Sequence, residues 1–129
     1  MNDLGLVDRL AAFAAECARI SGGLPAGRVG SAHIAKALRR SSSGAGARRE
    51  EAGRAASPRD RVRKLQASLM DLNEARMWLR IIDDSHYVPT EKVCVAIAEA
   101  ETLTGILSAD VAAGRKALGH AEAFSADEE

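Results

Sequence analysis

The sequence predicts an all-α protein, an antiparallel up-down-up-down four-helix bundle. Three observations carry this: 26 of the 129 residues are alanine, apolar residues recur every three or four positions over four long segments, and the glycine and proline clusters fall between those segments. Alanine is the strongest helix former and lets helices approach closely, but it supplies little apolar area per residue.

The first helix is expected over about residues 3–21, where Leu6, Leu10, Phe13, Cys17 and Ile20 form one stripe. It should stop in Ser21-Gly22-Gly23-Leu24-Pro25-Ala26-Gly27, where glycine freedom and the missing proline donor break the hydrogen-bond ladder. A second helix is expected over about 29–54, with Ile34, Leu38, Ser41, Ala45 and Ala52 on its inner face. Its middle reads Ser41-Ser42-Ser43-Gly44-Ala45-Gly46-Ala47, a linker composition when taken alone. The third helix, about 58–84, has the clearest start: Ser57 as N-cap, Pro58 at the first position and Asp60 near the positive helix end. Val62, Leu65, Leu69, Leu72, Leu79 and Ile82 continue it inward. After Ser85-His86-Tyr87-Val88-Pro89-Thr90 a fourth helix is expected over about 90–118, on Val93, Ile97, Ala100, Thr104, Leu107, Val111 and Leu118. One domain over 1–124 and a frayed acidic tail over 125–129 complete the expected organisation. Short loops between helices of similar length favour antiparallel neighbours.

No apolar run reaches the roughly 20 residues of a membrane span, and Met1-Asn2-Asp3 lacks the basic start of a signal peptide. The expectation is a cytoplasmic protein without membrane contact, with Cys17 and Cys94 as buried free thiols. The formal net charge is zero, yet residues 28–64 carry eleven Lys and Arg against three acids, and the remainder carries seven against fifteen. Two readings stand beside each other. The segregation solvates the bundle, or lets one copy's basic edge meet another's acidic edge in a head-to-tail ring. Alternatively Arg39, Arg40, Arg48, Arg49, Arg54, Arg59, Arg61, Arg63 and Lys64 contact RNA or DNA phosphates. With only 3% aromatic residues, base stacking has little to work with, so such binding would be electrostatic and salt-sensitive.

Catalytic signals do not converge. His33, His86 and His120 fall on separate segments, Cys-x-x-Cys is absent, and Asp83-x-x-His86 occurs once where a bundle di-metal site needs such a device twice. Neither metal, cofactor nor small-molecule substrate is implied, and the expectation is a non-enzymatic protein. One motif competes. Ala32-His33-Ile34-Ala35-Lys36 resembles the phosphorylatable stretch of histidine phosphotransfer domains, which are also four-helix bundles; Lys36 would neutralise the phosphoryl charge. Ala37 replaces the usual glycine, and Leu38 and Arg39 stand where that motif has small polar residues.

From Leu38 onward a broader pattern emerges in Leu38-Arg39-Arg40, Gly46-Ala47, Glu51-Ala52, Ala55, Ser57, Asp60, Lys64-Leu65, Leu69, Glu74 and Trp78-Leu79. In order and spacing these residues resemble the bacterial four-helix-bundle proteins encoded in intervening sequences of ribosomal RNA genes. The accessory variability proteins of diversity-generating retroelements are related to that family. The resemblance implies that the Ser/Gly/Ala run is helical, and that the protein is a non-enzymatic homopentamer, a ring of bundles. For the retroelement relatives it also implies a basic surface that binds nucleic acid. Arg48 in place of a common Asn, Met77 before Trp78, and the neutral overall charge depart from the pattern. Glu51 and Glu74 are expected to meet arginines within or between bundles, and Trp78 to pack in the core or a subunit interface.

Overall fold

The computed structural model describes the backbone of residues 3–128 and the side chains of residues 5–121. Four helices follow one another with no strand among the described residues: α1 Asp3–Gly22, α2 Ser31–Gly53, α3 Pro58–Asp84 and α4 Cys94–Glu128, the last preceded by a 3-10 turn at Thr90–Lys92. Partner numbers fall on one helix as they rise on the next, which makes each neighbouring pair antiparallel. Ser21 Oγ donates to Ala35 O and Gly46 faces Leu10 across α1–α2. Across α2–α3, Ser68 Oγ donates to Ala45 O and Lys64 meets Glu51. Gly114 of α4 faces Val62 of α3, and Arg9 of α1 forks onto Glu99 of α4 at 2.8 and 2.7 Å. The helices thus enclose one core in the cyclic order α1, α2, α3, α4, the four-helix bundle expected.

The core lies where the stripes point. Leu10, Cys17, Leu38, Leu65, Leu72, Leu79, Ile82, Val93, Leu103 and Leu107 are buried, and much of the remainder is alanine: Ala35, Ala45, Ala52, Ala75, Ala96 and Ala100. The serine-glycine run is helical throughout. Its hydroxyls bond back to the helix's own carbonyls, Ser41 to Ala37 and Ser43 to Arg39, instead of breaking it. Small side chains bring α2 and α3 together there: an added Cβ at Gly44 would lie 2.5 Å from Asp71 Oδ2.

Several boundaries move. Helix α2 begins at Ser31 because Gly30, at φ 89°, takes the left-handed conformation at its N-cap. Tyr87 closes over this turn: its hydroxyl donates to Val29 O at 2.8 Å, and the Arg28 guanidinium stacks 3.8 Å above its ring. Helix α4 starts later than residue 90, because Thr90–Lys92 winds as a 3-10 turn, and it runs on to Glu128 where a frayed tail from 125 was expected. Residue 129, the end of that tail, lies outside the described residues. Cys94 corrects the expectation of two buried thiols: it is exposed on the first turn of α4, one position off the Val93–Ile97–Ala100 stripe. Cys17 is fully buried, and burial pushes its thiol up to about 12. Among the described residues no helix is long and apolar enough to cross a membrane.

Candidate nucleic-acid interface

The turn between α2 and α3 gathers the cations at one end of the bundle. Arg54 closes α2, its N–H turned back to the Glu51 carbonyl and the Ala55 N–H to that of Ala52. Ser57 then caps α3, with its hydroxyl accepting from Asp60 N at 3.1 Å while Asp60 Oδ2 accepts from Ala56 N at 3.2 Å. Arg63 donates to the other carboxylate oxygen at 2.7 Å. That bond, then the one from Ala56, holds the Asp60 carboxyl below its ordinary range. Arg59 is exposed beside the cap, and Arg61 is half-buried between two open clefts. One, of about 600 Å³, lies against Gly114, Ala117 and Leu118 of α4; the other, of about 530 Å³, runs along Ala52–Ala56. The positive end of α3 is met by the Ser57 cap and the Asp60 carboxylate, so the arginines alone set the basic character of this turn.

The nine candidate cations do not share one patch. Arg54, Arg59, Arg61, Arg63 and Lys64 cluster at the turn, whereas Arg39 and Arg40 are exposed about 20 Å further along α2 at 1.5 Å per residue. Several are tied to acids: Arg40 to Glu74 at 3.5 Å, Arg54 to Glu50 at 3.4 Å, Arg48 and Lys64 to the two oxygens of Glu51 at 3.1 and 3.6 Å. Arg49 must be withdrawn from the list. It is 1% exposed and sits on the inner face of α2 between Ala45 and Ala52, whose small side chains leave it room, so a phosphate cannot reach it.

Glu51 and Glu74 do meet basic residues, but on the surface of the α2–α3 seam, where such pairs contribute little. Trp78 is half-buried against the core, and the His33 ring packs edge-on against it with centroids 5.5 Å apart. His33 itself is exposed in a shallow hollow with Lys36, Ala37 and Arg40. Among the described residues no three His, Cys, Asp or Glu gather as metal ligands.

Two surface features escaped the sequence reading. Met70 and Met77 are 73% and 56% exposed on the outer ridge of α3, seven residues apart. That spacing, off the Leu65–Leu72–Leu79 stripe, was the available signal. On the opposite side α1 and α4 make the thinnest packing of the four neighbouring pairs. A groove of about 450 Å³ remains between them, with Val95, 73% exposed, at its lip.

No protein-family model matches this chain, and no curated protein does. Among solved structures it is similar to a Bacteroides thetaiotaomicron protein of unknown function from the S23 ribosomal protein family, with a TM-score of 0.76 and 24% identity over 86% of this chain and 98% of the other. At that identity the likeness shows the fold: this chain is built on the same four-helix bundle as that S23-family protein.

Proposed function

We propose that the protein is a cytoplasmic, non-enzymatic scaffold that self-associates, as a homopentamer of the kind implied by its resemblance to the ribosomal RNA intervening-sequence and retroelement accessory proteins. Its α2–α3 end would contact RNA or DNA phosphates. The observation that carries the reading is the concentration of Arg54, Arg59, Arg61 and Arg63 around the capped start of α3. Guanidinium groups favour phosphate oxygens. Among the described residues the clefts beside Arg61 have no aromatic lining, so the recognition would follow backbone charge and not base identity.

Titration of the purified protein with a labelled RNA or DNA duplex tests this. Affinity should fall at least tenfold between about 50 and 200 mM salt, and Arg59→Ala with Arg61→Ala and Arg63→Ala should weaken it at every sequence tested. Absence of binding at about 50 mM salt would remove the role. A second reading rests on the His33 hollow, where Lys36 and Arg40 stand beside an exposed imidazole. There a response regulator's aspartyl phosphate would pass its phosphoryl group to the His33 nitrogen, with the carboxylate leaving. Acid-labile phosphate on the wild type, lost in His33→Ala, would select that reading.

A further inference from the structure

The charge segregation acquires a direction once the helices are placed. With the cyclic order α1, α2, α3, α4, the α1–α4 side lies opposite the α2–α3 side. Among the described residues the first carries Asp8, Glu16, Glu91, Glu99, Glu101 and Asp110 against Arg9, Arg19, Lys92, Arg115 and Lys116; the second draws on the basic 28–64 segment. The described residues' large exposed apolar side chains divide between the same two sides. Apart from Val29 in the first loop, they are Met70 and Met77 on α3 and Val95 at the α1–α4 groove. Methionine is flexible and polarisable and is enriched in interface cores, where it fills irregular hollows.

We infer that these are the two halves of one heterologous interface: the α3 ridge of one copy seats Met70 and Met77 in the α1–α4 groove of the next. This rests on the proposed self-association and names its surfaces. The groove suits the ridge. Phe13 forms its floor, Ala12 and Ala98 make low walls, and Glu16 and Glu99 stand at the rim. Both rim acids already hold partners on their own copy, Arg19 and Arg9. The ridge is bordered by Arg80, Arg63 and Arg40, the last two 78% and 75% exposed and bonded to Asp60 and Glu74. With Glu74 beside the methionines, docking exchanges these own-copy pairs for ones between ridge arginines and rim acids, whereas ridge on ridge has no groove to fill. Because the two surfaces differ, a docked pair keeps one ridge and one groove open, the geometry that generates a ring where the rotation closes.

Complementation separates this from every other arrangement. Met70→Asp with Met77→Asp removes the ridge and leaves the groove; Val95→Asp with Ala98→Asp removes the groove and leaves the ridge. Far-UV circular dichroism should show both helical, since all four positions are exposed. By light scattering the wild type should have the mass of several chains, each variant that of one chain, and an equal mixture of the two variants that of two chains and no more. A wild type that stays a single chain at high protein concentration would overturn the self-association and the inference together. A wild-type oligomer whose groove variant keeps the full mass would overturn only the inference. So would variants that fail to pair when mixed.

Discussion

Gly44 offers a perturbation whose sign the structure decides against helix propensity. In an exposed helix interior Gly→Ala should stabilise by about 1 kcal/mol. Here the added Cβ would lie 2.5 Å from Asp71 Oδ2 and 3.0 Å from its Cγ. Rotating the carboxylate about its last bond moves the oxygen and leaves the Cγ contact in place. The χ1 rotamer must change, or α2 and α3 must separate. Overpacking of this kind typically costs about 1–3 kcal/mol, so Gly44→Ala should destabilise by about 1 kcal/mol once propensity is subtracted. In an Asp71→Ala background the clash is gone, and the same substitution should stabilise by about 1 kcal/mol. The two effects differ by about 2 kcal/mol, well above the few tenths expected of non-interacting sites. Urea unfolding of the four proteins at one protein concentration measures this, read from midpoints at constant m. If Gly44→Ala stabilised both backgrounds equally, the close α2–α3 approach would be wrong.

Asp71 also carries a pH signature. Burial raises its carboxyl above the ordinary value, partly opposed by Arg48, with Glu74 raising it further. A carboxyl raised in the folded state favours folding below its unfolded pKa and loses that contribution as pH rises through the folded value. Asp71→Asn should therefore gain stability relative to wild type towards neutral pH, and the gap should close in acid; a pH-independent difference would contradict the desolvation. Arg48→Ala should change stability by less than about 1 kcal/mol in urea unfolding. Tyr87→Phe should cost about 1 kcal/mol by removing the hydrogen bond to Val29 O, seen as a lower thermal midpoint with unchanged helicity.

The parts of this fold that are legible in the sequence are those set locally. Ser57-Pro58-Arg59-Asp60 starts a helix by chemistry contained in four residues, and the structure shows the Ser57 cap in place. The Ser41–Ala47 run is locally ambiguous, and its resolution is tertiary: Ser68 bonds to Ala45 O, and Gly44 makes room for Asp71. Arg49 was misread for another reason. Its spacing from Ala45 and Ala52 places it on the inner stripe, but its type, in the run Arg48-Arg49-Glu50, argued for solvent, and there periodicity was the better guide. Cys94 shows the converse, since one position off a stripe turned a thiol from core to surface. The α1–α4 groove had no sequence signal, because its width depends on how far two helices remote in the chain are held apart.

Apart from Arg63, which borders the ridge, the basic end and the proposed interface occupy different parts of the molecule, and that separation has a consequence. Ridge and groove run along the sides of the bundle, whereas Arg54, Arg59 and Arg61 lie at one end of it. Copies related by rotation about an axis parallel to the helices would turn all their α2–α3 ends to the same rim of a ring. A single end, with several of its cations already paired to Glu50, Glu51 and Asp60, offers few charges to a phosphate backbone. A rim of such ends makes each contact after the first intramolecular, and avidity can then exceed the affinity of one end by orders of magnitude. On this geometry the neutral net charge and the nucleic-acid reading are compatible, because attraction depends on the local field at the rim and not on the sum over the chain. The groove variant would then lose nucleic-acid affinity with every arginine intact, a loss that no model of independent monomeric binding predicts.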